Sequence, residues 1–111
     1  MLRPTLLFLM HQGSSHGYDL MEQLEGFGVI DIDPSLVYRA LRDMEAEGLI
    51  TSTWNEEDTQ GPPRRMYTLT SSGDRILREH LEDLKNTRSR IDKLVRAYEQ
   101  HMDRGQGDFH K

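Results

Sequence analysis

The fold is decided by residues 33–44, which read DPSLVYRALRDM. Asp33 can cap a helix, and Pro34 suits the first helical position because its missing N–H would have no partner there. Apolar residues then recur at spacings of four and three and form one stripe: Val37, Leu41 and Met44. The opposite face carries polar and charged side chains: Ser35, Tyr38, Arg39, Arg42 and Asp43. The stretch predicts an amphipathic helix with one buried and one open face.

Two helices are predicted before this one. The first covers Leu2 to Met10, and Gly13-Ser14-Ser15 forms a turn after it. The second runs from His16 to about Glu25, with Ser15 as its N-cap. Its inner face is predicted to consist of Tyr18, Leu20, Met21 and Leu24, and Gly17 is expected to allow a close approach between helices.

A β-hairpin is predicted after Gly48. Ile50 to Asn55 and Arg65 to Thr70 are rich in β-branched and aromatic residues. A polar loop with strong breakers, Glu56 to Pro63, separates them.

The last helix is expected to begin after Thr70, which can cap it, and to run to about Met102. Residues at alternating spacings of four and three form a heptad seam: Leu77, Leu81, Leu84, Arg88, Ile91, Val95, Tyr98 and Met102. About 30 residues span roughly 45 Å, more than the rest of the domain can cover, so the stripe requires a partner helix. The predicted dimerisation residues are Leu77, Leu81, Leu84, Ile91, Val95 and Tyr98.

This order of elements predicts a mainly α fold with a small β-hairpin. It corresponds to a winged helix-turn-helix DNA-binding domain over residues 1–70, a dimerisation helix over 71–102 and a disordered tail over 103–111. In such domains the third helix enters the major groove and the hairpin contacts the flanking backbone. The predicted DNA-binding residues are Ser35, Tyr38, Arg39, Arg42, Arg64 and Arg65. The alternative is that the helix arginines pair with nearby acids and that the hairpin tip is only a solubilising turn.

Composition limits the other classes of function. The chain has 111 residues and a net charge of −5, which counts against DNA binding, although a binding face needs only local positive potential. Because cysteine is absent, disulfides, thiol catalysis and thiolate metal sites are excluded. No apolar run approaches the roughly 18 residues of a membrane span, and no signal peptide is evident, so a cytoplasmic location is predicted.

The sequence contains no recognised catalytic or metal-binding pattern. His11 and His16 do not have a recognised ligand spacing, and neither do the tail residues His101, Asp103, Asp108 and His110. There is no nucleophile with a matching base and no phosphate-binding glycine loop. We therefore expect neither an enzyme nor a cofactor.

Five motifs together resemble the PadR family of bacterial transcriptional regulators. In chain order they are residues 15–20 (SHGYDL), 34–42 (PSLVYRALR), 47–50 (EGLI), 61–67 (GPPRRMY) and 69–73 (LTSSG). The resemblance runs from about Leu6 to Leu84, and the short chain with one trailing helix is similar to the smaller subfamily. Residues 33–39 with 51–54 also resemble the polyhydroxybutyrate-responsive repressor branch.

The resemblance implies a homodimer held by its first and last helices that represses a promoter and is released by a small-molecule effector. A two-fold dimer would bind a pseudo-palindromic operator in double-stranded DNA. Two positions depart from the family pattern: Leu36 replaces a small polar residue, and the acids at 56–58 oppose wing contacts. They leave open an alternative, a winged-helix protein-interaction module without DNA binding.

Overall fold

The computed structural model describes residues 1–55 and 64–105, except the side chain of Asn55. Its elements in chain order are α1 (Leu2–Gln12), β1 (Ser15–His16), α2 (Gly17–Glu25), α3 (Pro34–Ala46), β2 (Ile50–Asn55), β3 (Arg64–Leu69) and α4 (Ser71–Asp103). The predicted loop at 56–63 and the part of the predicted tail at 106–111 lie outside the described residues. The predicted fold class, mainly helical with a small antiparallel sheet, is confirmed.

The sheet differs from the predicted two-stranded hairpin. Ser15 and His16 form a short third strand that pairs antiparallel with Tyr67 and Met66 of β3, which gives the order β1-β3-β2. The prediction of Ser15 as the N-cap of the second helix was wrong, because the Ser15 hydroxyl donates to the Gly13 carbonyl at 3.3 Å instead. His16 has an extended backbone and is itself the N-cap residue, without a capping side-chain hydrogen bond.

The core lies among the first three helices and the inner face of the sheet. The α3 stripe is confirmed, since Val37, Leu41 and Met44 are fully buried. The largest other fully buried side chains are Leu6, Leu7, Leu20, Leu24 and Ile50.

The inner face of α2 was partly mispredicted. Leu20 and Leu24 are buried, but Tyr18 is 58% exposed. Its hydroxyl is hydrogen-bonded to the Glu22 carboxylate, and this bond raises the pKa of Tyr18. Because Tyr18 follows Gly17, which is buried, by one residue, it lies about 100° around the helix from the core-facing position.

Both ends of α3 follow the signals in its sequence. The Asp33 carboxylate accepts a hydrogen bond from the Ser35 backbone N–H at 2.9 Å, and this bond lowers the pKa of Asp33. After the helix, Gly48 adopts a positive φ of 78°, a conformation that glycine tolerates without strain. The chain then reverses, and the Leu49 N–H donates to the Met44 carbonyl.

Helix α4 is anchored to the turn that follows α3. The Thr70 hydroxyl accepts from the Gly73 N–H at 3.0 Å, so the prediction that Thr70 caps this helix is confirmed. The same hydroxyl lies 2.7 Å from the Gly48 carbonyl oxygen and 2.9 Å from that of Leu49, and it can donate to either. Gly73 is needed for this approach, since a Cβ atom there would overlap the Leu49 carbonyl.

The chain divides into two compact units, Met1–Glu79 and His80–Lys111, and α4 runs from the first into the second. Leu77 belongs to the core of the first unit, where it is 4% exposed. In the second unit, large apolar side chains of α4 are exposed: Leu81, Ile91, Leu94, Val95 and Tyr98. Among the residues that the structure describes, no helix is both long and apolar enough to cross a membrane.

Candidate nucleic-acid interface

The outward face of α3 presents the side chains that the sequence pattern places there. Ser35, Tyr38, Arg39 and Arg42 are all exposed, because the buried stripe turns the opposite face outward. Arg39 and Arg42 lie almost one helical turn apart. Within residues 1–55 and 64–105 neither arginine forms an ion pair or a side-chain hydrogen bond, so their guanidinium groups are available to an anionic partner.

Tyr38 packs over the first turn of α2. A Cβ atom on Gly17 would lie 2.8 Å from Tyr38 Cε1, closer than carbon atoms approach without displacement. The expectation that Gly17 allows close helix approach is therefore confirmed, with the Tyr38 ring as the neighbour. Tyr38 is 42% exposed, so part of its ring is accessible although the ring packs beside Gly17.

The wing, defined here as β2 and β3, carries the two predicted arginines at the start of β3. Both Arg64 and Arg65 are exposed, but they follow one another in a strand and so point to opposite faces. Arg65 pairs in register with Trp54, and its guanidinium carbon lies 4.5 Å from the centre of the Trp54 ring. Arg65 Nη1 also donates to Ser52 Oγ at 2.7 Å.

Ser52 links the wing to α3. Its hydroxyl lies 2.9 Å from both carboxylate oxygens of Glu45, near the end of α3, and it donates its one proton there. Arg65, Ser52 and Glu45 thus form a continuous hydrogen-bonded chain from β3 through β2 to α3. The sequence did not predict the roles of Ser52 and Glu45. Their contact depends on how β2 packs against α3, and no residue pattern indicates it.

A groove of about 480 Å³ opens between α2, α3 and the wing. It is lined by His16, Gly17, Tyr18, Asp19, Tyr38, Arg64, Arg65 and Tyr67. A tyrosine hydroxyl is protonated at neutral pH and can donate a hydrogen bond, and burial raises the pKa of the Tyr67 hydroxyl above its ordinary value. The tyrosine hydroxyls and guanidinium groups make this lining rich in donors, which suits phosphate oxygens.

His11 and His16 each lie near an aspartate of the first unit. His11 Nδ1 lies 3.0 Å from Asp74 Oδ1, and His16 Nδ1 lies 3.6 Å from Asp19 Oδ2. Among the described residues, no three or more His, Cys, Asp or Glu side chains are grouped to hold a metal ion. Two of the tail residues considered as ligands, Asp108 and His110, lie outside those residues.

The three-helix core, the third helix with an arginine-bearing outer face and the antiparallel wing define a winged helix-turn-helix protein. A family profile described as "Transcriptional regulator PadR-like family" matches residues 6–79. The chain belongs to this family of transcriptional regulators, as its motifs predict. The polyhydroxybutyrate-responsive branch stays a prediction.

Solved structures with the same fold include several regulators of this family. A PadR-like transcriptional regulator from Bacillus cereus strain ATCC 14579 is 26% identical, with a TM-score of 0.74, and the match covers 85% of this chain and 90% of that one. A PadR family regulator from Eggerthella lenta DSM 2243 is 28% identical, with a TM-score of 0.67 and coverage of 81% and 80%. A conserved protein of unknown function, described as a potential transcriptional factor, is 33% identical with a TM-score of 0.79 and coverage of 92% and 90%. No functionally curated protein matches the chain.

Proposed function

We propose that this protein is a homodimeric, sequence-specific DNA-binding repressor that is released from its operator by a small-molecule effector. The observation that carries the proposal is the exposed pair Arg39 and Arg42 on α3, which have no anionic partner within residues 1–55 and 64–105. In a PadR family chain this helix is the element expected in the major groove.

The exposed polar side chains of α3 can each make a contact with DNA that suits their functional group. Arg39 and Arg42 can each make a bidentate pair with guanine O6 and N7 or grip a phosphate. Ser35 and Tyr38 carry hydroxyls that can donate to phosphate oxygens. Arg64, on the wing, is assigned to the flanking backbone.

The dimer is supported by the apolar face of α4 in the second unit. Leu81, Ile91, Val95 and Tyr98 are exposed and Leu84 is half-buried, and in residues 80–105 no other helix or strand covers them. Such a heptad stripe is buried when two helices pair. Two recognition helices related by a two-fold axis would then meet half-sites about 34 Å apart, one turn of DNA. Leu77 is already buried within its own chain, which leaves the other five predicted residues to form the contact.

Release by an effector follows from the same arrangement. The spacing of the recognition helices depends on how the two α4 helices pack, so a ligand that binds one packing better would change the affinity for DNA. The family resemblance supports the repressor role and the effector, whose chemical class is open. The proposed DNA partner supports a cytoplasmic location.

The test is fluorescence anisotropy of a labelled fragment from the upstream region of the protein's own gene, measured against a scrambled fragment. Arg39→Ala/Arg42→Ala is compared with Arg90→Ala/Lys93→Ala, which removes two exposed positive charges from α4 instead. Because each base-contacting arginine contributes about 1–3 kcal/mol, the α3 variant should weaken specific binding by about 30-fold or more. The α4 variant should bind nearly as the wild-type protein does.

Equal loss in both variants would indicate unspecific electrostatic attraction and would contradict recognition through α3. Equal binding of both fragments by the wild-type chain would contradict an operator in the fragment tested. In that case a library of random duplexes would be used to select one.

One observation favours a second candidate, a protein-interaction module. Leu36 is 47% exposed on the outward face of α3, and the chain carries a net charge of −5. An apolar side chain on an acidic protein suits a protein surface better than a phosphate backbone. Absence of retention on a heparin or DNA column at low salt would favour this candidate over the repressor.

A further inference from the structure

We propose that Arg65 is a positioning residue that holds the wing in a fixed orientation to α3, and that Arg64 is, of these two arginines, the one that contacts DNA. The inference rests on the proposed function, since it concerns how the DNA-binding surface is held in shape. It separates two neighbouring arginines that the sequence treats as equivalent.

The Arg65 guanidinium is held by two contacts within the wing. Its carbon lies 4.5 Å from the centre of the Trp54 ring, and one of its nitrogens donates to Ser52 at 2.7 Å. A planar guanidinium stacked on an indole and fixed by a hydrogen bond loses most of its rotational freedom. Arg65 is therefore engaged within the wing before any DNA is present.

Ser52 connects Arg65 to α3. Ser52 accepts from Arg65 and donates to the Glu45 carboxylate at 2.9 Å, so the positive and negative charges are joined through one hydroxyl. Hydrogen bonds with a charged partner are stronger than neutral ones, and here both ends of the chain are charged. This Arg65–Ser52–Glu45 relay is a side-chain link between the outer part of the wing and the end of the recognition helix.

Arg64 lies in a different environment from Arg65. It lies opposite Asn55 in the strand register, on the other face of β3 from Arg65. Arg64 and Arg65 both line the groove between α2, α3 and the wing, but within residues 1–55 and 64–105 Arg64 is exposed and forms no ion pair. The orientation of the wing, which the relay fixes, thus decides where the Arg64 guanidinium meets the DNA backbone.

The test uses four variants: Arg64→Ala, Arg65→Ala, Arg65→Lys and Ser52→Ala. Operator affinity is measured at several salt concentrations, because the slope of log affinity against log salt counts the neutralised phosphates at about 0.9 for each. Ser52→Ala removes no charge, yet it should weaken operator binding about tenfold with an unchanged slope. Arg64→Ala should reduce the magnitude of the slope by about 0.9 for each protomer.

Arg65→Lys distinguishes charge from geometry. Lysine retains the positive charge but not the planar, forked group that stacks on Trp54 and donates to Ser52. We expect it to bind the operator as weakly as Arg65→Ala does. The double variant Arg65→Ala/Ser52→Ala should be no weaker than either single variant, because both break the same link. Full affinity in Arg65→Lys or in Ser52→Ala would overturn the positioning role.

A measurement without DNA separates this inference from the proposed function. Trp54 is the only tryptophan of the chain, so its fluorescence reports on the wing alone. Ser52→Ala should increase quenching of Trp54 by acrylamide, because the guanidinium above the ring is released. Unchanged quenching in Ser52→Ala would overturn the inference whatever the DNA result. A wild-type chain that binds no operator would count against the proposed function, while the quenching would still decide whether the relay holds the wing.

Discussion

Gly73 is a residue of close approach between α4 and the turn after α3. A Cβ atom there would overlap the Leu49 carbonyl and lie 2.6 Å from Leu69 Cδ1. Replacing a helical glycine with alanine normally stabilises a helix by about 0.5–1 kcal/mol. Here the overlap with a backbone atom outweighs that gain, and we predict that Gly73→Ala lowers the free energy of unfolding by about 2–3 kcal/mol.

Urea unfolding followed by circular dichroism measures this difference. Gly26→Ala is the matched control, because Gly26 has a right-handed helical φ of −63° and its added Cβ would lie 3.4 Å from the nearest atom. The control should be as stable as the wild-type protein or slightly more so. A stable Gly73→Ala variant would mean that α4 does not approach Leu49 as closely as described.

A second residue-scale prediction concerns the pair Arg3 and Glu47, which joins α1 to the end of α3. Their two hydrogen bonds, at 3.0 and 2.7 Å, are bidentate, and the bonds from Arg3 lower the pKa of Glu47 below its ordinary 4.5. The charged form is therefore favoured by folding. Its stabilisation is present above pH 4.5 and is lost as the pH falls through the lowered pKa.

We therefore expect Glu47→Gln to unfold at lower urea concentration than the wild-type chain at pH 7. The difference should shrink progressively below pH 4.5. The control is Glu79→Gln, at an exposed glutamate of α4 with no ion pair among the described residues. A pH-independent difference for Glu47→Gln would show that packing, and not the carboxylate charge, is responsible.

At the scale of elements, the exposed stripe of α4 makes the sharpest prediction. Leu84→Asp/Ile91→Asp places two charges in the stripe, where a helix partner would have to bury them at high cost. Light scattering after size exclusion should give a dimer mass for the wild-type chain and a monomer mass for this variant. Operator affinity should fall with it, because the two half-sites would no longer be bound together.

The matched control for this prediction is Asn86→Asp/Ser89→Asp, which adds the same two charges to exposed positions of α4 off the stripe. It should remain dimeric. If both variants are dimers with unchanged DNA binding, the dimer interface lies elsewhere than on this stripe.

The elements differ in how well the sequence predicts them, and the reason is physical. Helix α3 is predicted well because its signals are local: the Asp33 cap, Pro34 and a stripe at helical spacing all lie within a few turns. Strand β1 has only two residues, too few for any periodicity, and it exists because β3 lies beside it. The exposure of Tyr18 was missed because Leu20 and Leu24, two and six positions further on, form the inner face without it.

The candidate site divides in the same way. The outward position of Arg39 and Arg42 follows from helix geometry, so the sequence alone predicts their exposure. The engagement of Arg65 with Trp54 depends on the strand register that pairs the two residues, and the residue pattern of two short strands does not define that register. Its link to Glu45 further depends on how the hairpin packs on α3, which is a tertiary property.

At the scale of the whole molecule, the net charge of −5 has to be reconciled with a polyanionic partner. If Arg39, Arg42 and Arg64 of both protomers each neutralise one phosphate, six phosphates are neutralised by the dimer. At about 0.9 per phosphate, the predicted slope of log affinity against log salt is about −5, and raising salt from about 50 to 200 mM should weaken binding about 1,000-fold. A slope near −2.7 would indicate that a single protomer binds.

The pairing of β1 with β3 brings together Ser15 and Tyr67, which lie far apart in the sequence of the first unit. During synthesis, the helices α1 to α3 leave the ribosome before the strand that ties them together. The sheet can close only after Leu69 has emerged, and the Thr70 and Gly73 contacts require a few residues more. The DNA-binding unit therefore assembles late and nearly all at once, so a chain interrupted before its last helix would be a substrate for proteases and would not occupy an operator.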